Sequence, residues 1–393
     1  MDPKIFKKNL RGLGMLLSIL PLHPLALADD ATAAKYVITN DNKNPNTATF
    51  YKIGGTQTAP TLTLLVAAGT GGDGASGWGS VSVAKVANQA CAYVSNRDSE
   101  NITAIVIGRQ KYVGIYAASA TDSGLAVTAT NGAYLYAAYN SSGTIATFQV
   151  SAGCKLTFVG DVPAYGLNDF VGANGINMAL HGSMLVVAYS EGSIESFNIS
   201  SGLPVSNGDK QNASGYSEGF YPVGVDVSKN GQYAVFGDDS GNNAGPTAIE
   251  VSNISSGKLT PTVLYDNLGA STGSRNVLLS PGGSLLYISD VGSYQLTAAK
   301  FNETTGRVSK GCLSAVLNGG SFPLSLALAS TSGTGGVLYV AEFSFYGGAS
   351  SIGMLSVSAS ATQCTLTEPT NSPVYDPDGY DLRSIAVWPP RPF

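Results

Sequence analysis

Charge is scarce in this chain of 393 residues, with Asp, Glu, Lys and Arg together making up 12%. The 21 Lys and Arg residues form no basic stripe to neutralise phosphates, which excludes nucleic acid as a partner. No stretch of a dozen residues holds a capped i, i+3, i+4 apolar pattern, so helices should be nearly absent. Four cysteines occur without a CxxC spacing, which argues against a zinc site and against covalent haem. Trp78 and Trp388 are the only tryptophans, too few to stack a quinone. No GxSxG elbow stands between a strand and a helix. The glycine-rich run from Gly69 has no lysine or helix after it to cradle a nucleotide phosphate. The reading is of a protein with no metal and no organic cofactor.

What the chain does contain is glycine (48 residues), tyrosine (20) and many β-branched residues, the composition of a β-rich protein with many turns. Residues 1–28 read as a secretory signal peptide. Lys4, Lys7, Lys8 and Arg11 precede a short apolar run from Leu13 to Leu20, and Ala26-Leu27-Ala28 supplies small residues for cleavage. Residues 29–393 would then be one exported domain, secreted or periplasmic, with no membrane span once the leader is removed. In that oxidising setting Cys91, Cys154, Cys312 and Cys364 suit two disulfides. Three pairings are possible. Cys91–Cys154 and Cys312–Cys364 are preferred, because each joins neighbouring repeats.

The repeat is the strongest signal. In VGVDVSKNGQYAVFGDD, from Val223, alternating valines give one strand, Asn230-Gly231 suits a tight two-residue turn, and Tyr233 opens a second strand. Second-strand markers recur at Tyr36 (YVITN), Tyr93 (YVSNR), Tyr136, Val186, Ala234, Tyr287 and Tyr339 (YVAEF), roughly 43 to 57 residues apart. That is the period of four-stranded propeller blades. Third strands follow, such as GTIATFQV and GSIESFNI, and then fourth strands such as KLTFVG from Lys155. The first marker has no strand before it, and LRSIAVW, Leu382 to Trp388, is a first strand with nothing after it. The two leftovers complete one blade. The fold class is therefore all-β: a seven-bladed β-propeller closed by pairing of the C-terminal strand with the N-terminal blade. Closure of this kind leaves no exposed edge around the ring.

The YVxN-type markers, the SPGG turn at Ser280 and NISSGKLT at Asn253 resemble the YVTN-repeat, lactonase-type seven-bladed propellers. That family includes 6-phosphogluconolactonases and carboxymuconate lactonising enzymes (cyclases). The resemblance spans about residues 35 to 389. It implies opening or closure of a lactone at the mouth of the central channel by a lactone hydrolase or a cycloisomerase, without cofactor. The family is commonly discussed in terms of histidine, arginine and carboxylate groups. The one histidine beyond the leader, His181, falls in a first-to-second-strand turn, on the face opposite the channel-mouth loops.

Arg275 and Arg383 each stand just before an inner strand, in the sixth blade and in the blade closed by the termini. The alignment puts both at the channel mouth with one blade between them. Their partners could be Asp381, Glu342 or Asp290, or the carboxylate or phosphate of a small anionic ligand. Trp78, Asn174, Asn177, Tyr221 and Phe322 precede or open other inner strands and are candidate binding residues. Glu342 and Asp122 are the candidate general acid or base. DPDGYD, from Asp376, alternates carboxylates but lacks a later bidentate acid, and reads as a turn rather than a calcium loop. Six Asn-x-Ser/Thr sequons are repeat-locked at hairpin turns, a placement that turn chemistry also explains. The expectation is a monomer that takes a small anionic ligand. The alternative is a non-catalytic secreted propeller binding a glycan, peptide or surface partner through its loop-rich face.

Overall fold

Second strands are apolar on both faces, and the reason is visible in how they pack. In Tyr36–Asn40, Val37 faces the seventh blade while Ile38 faces the second. Tyr93 and Val94 divide in the same way between the third blade and the first. A strand with a blade on either side has no solvent face, so the alternation of a half-exposed sheet gives way to a continuous apolar run.

The computed structural model describes residues 35–390 apart from 75–78, 168–175, 216–218, 239–247, 266, 269–272, 330–334, 345–348, 360–363, 378 and 380. The leader lies outside this range. The described residues form seven antiparallel sheets, and each sheet is a blade. Counted from the first marker, inner strands are Ser384–Trp388 for blade 1 and Val81–Val86, Leu125–Thr130, Ile176–His181, Pro222–Val227, Ser274–Leu279 and Phe322–Ala329 for blades 2 to 7. Among the described residues the helical structure is two short 3-10 turns, Ile107–Arg109 and Val291–Ser293.

The termini close the ring as the leftover strands require. Tyr36–Asn40 pairs antiparallel with Ser384–Trp388, with Tyr36 opposite Trp388 and Asn40 opposite Ser384. Seven separate apolar clusters result, one at each blade-to-blade junction, with no single central core. The disulfides are Cys91–Cys154 and Cys312–Cys364, the preferred pairing, joining blades 2 and 3 and blades 6 and 7.

Asparagines at the ends of the markers tie blades together. Asn40 Nδ2 donates to the carbonyls of Ser80 and Ser95 in blade 2, and Asn46 Nδ2 donates to Asn96 Oδ1. Gly224 and Gly237 have another role: a Cβ at either would stand 2.6 Å from Arg275 O or 2.2 Å from Ser274 O. Blades 5 and 6 meet backbone to backbone there, which admits no side chain.

Two local expectations change. The Asn230-Gly231 link is a five-residue connection, 228–232, rather than a two-residue turn. Gly231 takes φ of 69° while Asn230 does not take a positive φ, and the Ser228 hydroxyl and backbone brace the loop. Fourth strands are also less uniform than the repeat suggests. Blade 4 has the pieces Val205–Ser206 and Gln211–Asn212, and blade 7 has Cys364–Thr367 and Val374–Tyr375. Outer strands touch one neighbour only, so packing constrains them least.

Candidate binding site at the channel mouth

A cavity of 190 Å³ sits at the hub, lined by residues from all seven inner strands or the turns that lead into them. Arg275 and Arg383 both line it, as the repeat alignment expects. Arg383 lies just ahead of its inner strand and Arg275 at the second position of its own, so the shared geometry of the blades brings them to one wall.

Arg383 is held from two sides. Its Nε donates to Asp381 Oδ1 at 2.7 Å, and its guanidinium carbon lies 5.1 Å from the centre of the Phe343 ring. Asp381 is buried, so this is a positioned ion pair rather than a surface contact. The contact through Nε leaves the outer edge of the planar fork for a second anion. Arg97, at the end of YVSNR, does not line the cavity but feels the charge of Arg383. Burial lowers its pKa first; Asp98 opposes the shift, and the nearby Arg383 charge adds to it. Arg97 was absent from the sequence-derived candidates, although it is the only arginine directly following a marker.

The rest of the lining is neutral. Thr128 Oγ1 lies 3.1 Å from Ser80 Oγ and 3.0 Å from Ser82 Oγ, and Ser384 Oγ accepts from the Val81 amide. Asn177 lines the cavity, but its side chain bridges blades by donating to Val223 O at 2.6 Å. Among the described lining residues there is no Asp, Glu, His, Lys, Cys or Tyr. The described lining therefore offers positive charge and hydroxyls, with no carboxylate or imidazole among its residues.

The other candidates lie away from this wall or outside the described residues. Trp78 and Asn174 are outside them. Tyr221 and Phe322 are half-buried and do not line the cavity; the Tyr221 amide donates to Asp238, and Phe322 packs edge-on against Tyr294 at 4.8 Å. Asp122 is buried and accepts from the Ser119 amide and Thr144 Oγ1, which is turn chemistry. His181 is the last residue of its inner strand, just ahead of the turn expected for it, with Nε2 2.9 Å from Lys229 O.

Glu342 is fully buried and does not line the cavity, although its register partner Pro323 directly precedes the lining residue Leu324. Burial pushes its pKa up to about 8, with Glu368 adding to the shift and the Ser351 hydrogen bond opposing it. Its Oε2 accepts from Ser351 Oγ at 2.7 Å, and Oε1 has no hydrogen-bond partner among the described residues. Burial thus favours the protonated form of Glu342.

A second acidic site was read only as a turn. Asp376, from DPDGYD, faces Asp41 across the Thr39 hydroxyl. Thr39 Oγ1 is 2.8 Å from Asp41 Oδ1 and 3.1 Å from Asp376 Oδ2. One hydroxyl hydrogen cannot serve both carboxylates, so a proton on one of them completes the arrangement. Burial pushes the Asp41 pKa up to about 7, Asp376 adds to this, and the hydroxyls of Thr47, Thr49 and Thr39 oppose it.

These features can be set beside known proteins. No protein-family model matches the chain, and no curated protein sequence matches it. Solved structures do. A putative 6-phosphogluconolactonase of Bacteroides uniformis is similar at a TM-score of 0.67 and 13% identity, over 90% of this chain and 99% of that one. The periplasmic gluconolactonase of Pseudomonas aeruginosa is similar at a TM-score of 0.64 and 14% identity, over 87% of this chain and 98% of that one. The protein is thus a seven-bladed β-propeller whose structural neighbours are of the 6-phosphogluconolactonase-like kind.

Proposed function

We propose that the protein is an exported, lactonase-like β-propeller that takes a small anionic lactone or carboxylate at the channel mouth. The observation that carries this reading is the placement of Arg275 and Arg383 in one cavity, with Asp381 engaging Arg383 through Nε. At 190 Å³ the cavity is below the roughly 300–1,000 Å³ of drug-sized sites, which favours a small polar ligand. Lactonase names among the structural neighbours support the substrate class. The leader and the two disulfides support export to an oxidising compartment.

In this reading the arginines bind the ligand's anionic group and stabilise oxyanion charge as the ring opens or closes. Glu342, whose carboxyl burial pushes toward the protonated form, is the candidate acid in this reading. A second reading, a binding protein without turnover, is favoured by the lack of a general base among the described lining residues. A lactone and muconate panel tests both, with turnover and calorimetric binding measured on the wild type and on Arg275→Ala/Arg383→Ala. The proposal expects at least a roughly tenfold loss in the double variant, about 1.4 kcal/mol. Binding without turnover selects the second reading. An unchanged response in the double variant overturns the anion site.

A further inference from the structure

Arg383 at the mouth and the acid pair at the ring closure share one connection, between Val374–Tyr375 and Ser384–Trp388. The described residues of this connection are tied to blade 1 at two points. At the first, the Thr39 hydroxyl lies between Asp41 Oδ1 and Asp376 Oδ2, and Asp376 Oδ1 accepts from the Gly379 amide at 2.9 Å. At the second, Asn42 Nδ2 donates to Asp381 O at 2.8 Å, and the Asp381 amide lies 3.4 Å from Asp41 O. Blade 7 adds an anchor, since the Asp376 amide donates to the Ser350 carbonyl and the Leu382 amide to the Ser350 hydroxyl. Asp41 thus faces Asp376 with its side chain while its backbone holds Asp381, the carboxylate that orients Arg383.

Thr39, Asp41, Asp376 and Asp381 are all buried, so water screens none of these contacts well. With a proton on one acid, the Thr39 hydroxyl accepts from that acid and donates to the other. With both acids ionised, its one hydrogen serves a single carboxylate and two like charges face each other out of water. Asp376 is the charged group that acts on Asp41. The other charged groups on the elements packed here are Lys43 in blade 1, Asp73 on the loop that adjoins it, and the Asp381–Arg383 pair. Glu342 stands next to Phe343, whose ring lies under the Arg383 guanidinium.

We propose that the Asp41–Asp376 pair is a proton-operated clasp that sets the position of Arg383, so that the hub binds an anion more tightly when the pair shares a proton than when both acids are ionised. The inference rests on the anion-site reading of the cavity. Two effects act in the same direction. Repulsion drives the connection away from blade 1, which loosens the hold of Asp41 and Asn42 on Asp381 and so the aim of Arg383. The added negative charge also makes the hub less attractive to an anion. Linkage makes the effect reciprocal: an anion at the hub draws a proton onto the pair and raises its titration midpoint. A coupling of about fivefold, the low end of the usual range, moves that midpoint by roughly 0.7 pH units.

The Nε resonance of Arg383, read by carbon-detected NMR and assigned through its loss in Arg383→Lys, reports on the guanidinium without any substrate. In the wild type it should shift in one step centred on about pH 7. In Asp376→Asn no like charge remains, and the step should be gone from that region; in Glu342→Gln it should stay. Sulfate keeps its double charge across this range and serves as the hub probe. Calorimetry should find it bound about fivefold more weakly at pH 8.5 than at pH 6 in the wild type, and with near-equal strength in Asp376→Asn. Saturating sulfate should raise the wild-type midpoint. Should Asp376→Asn fail to fold, Asp41→Asn removes the same repulsion from the blade 1 side and must give the same result. Sulfate that binds at neither pH refutes the anion site, while the resonance still decides the clasp. An Arg383 signal that is flat across pH 7, a step that survives in Asp376→Asn, or one lost in Glu342→Gln would each overturn the clasp.

Discussion

Replacing Asp376 with Asn tests the acid pair at the ring closure, and the sign of the effect follows from the geometry. Asn Oδ1 keeps the hydrogen bond from the Gly379 amide, and Asn Nδ2 donates to Thr39 Oγ1 in place of a proton. The Thr39 hydrogen is then committed to Asp41. In the wild type, Asp41 holds its proton up to about pH 7 in the folded protein and to about 3.8 when unfolded. Between those values the folded state binds more protons, so stability falls as pH rises and levels off above about 7. A shift of about three units corresponds to roughly 4 kcal/mol across that window. Burial is the larger cause and Asp376 the second, so the like-charge share is under half, about 1–2 kcal/mol. Urea unfolding at pH 5 and pH 8.5 measures it. Asp376→Asn should be close to wild type at pH 5 and about 1–2 kcal/mol more stable at pH 8.5. A variant weaker than wild type at pH 8.5, or offset equally at both pH values, would refute the repulsion argument.

Glu342→Gln should abolish a separate slope. Its carboxyl is neutral when folded up to about pH 8, so wild-type stability falls between about 4.5 and 8 as the unfolded form ionises. The glutamine variant should match the wild type near pH 4.5 and exceed it at pH 9, while losing any turnover that needs the Glu342 proton. Removing residues 384–393 should prevent cooperative folding, seen as the loss of a single thermal transition, because Ile385, Ala386 and Val387 fill the junctions on either side of blade 1.

The ring was legible in the chain because every second strand carries the same demand, apolar on both faces and capped by a polar residue at the mouth. Two packing neighbours over-determine such a strand, as Val37 and Ile38 show. The outer strands of blades 4 and 7 escaped the pattern because only one neighbour constrains them. The placement of Arg275 and Arg383 on the cavity was readable for a related reason, since one lies inside the start of an inner strand and the other just ahead of one, and the repeat fixes where that point lies. Arg97 follows a second strand instead, and the Arg383 charge that acts on it comes from the far end of the chain. The acid pair was hidden by distance, with 337 positions separating Thr39 from Asp376. Asp122 misled because a carboxylate before an inner strand serves equally well as a turn acceptor.

Among the described residues the joint between blades 1 and 2 contains nine buried apolar residues, fewer than any other joint. Much of its hold comes from Asn40, Asn46, Asn96 and Thr70, whose bonds act only at the right angle and distance. Apolar contacts loosen gradually as surfaces slide, whereas directional bonds of this kind give way together. The chain's two ends meet in the same blade, so the wheel has a preferred place to part, and the remaining joints can stay latched while it does.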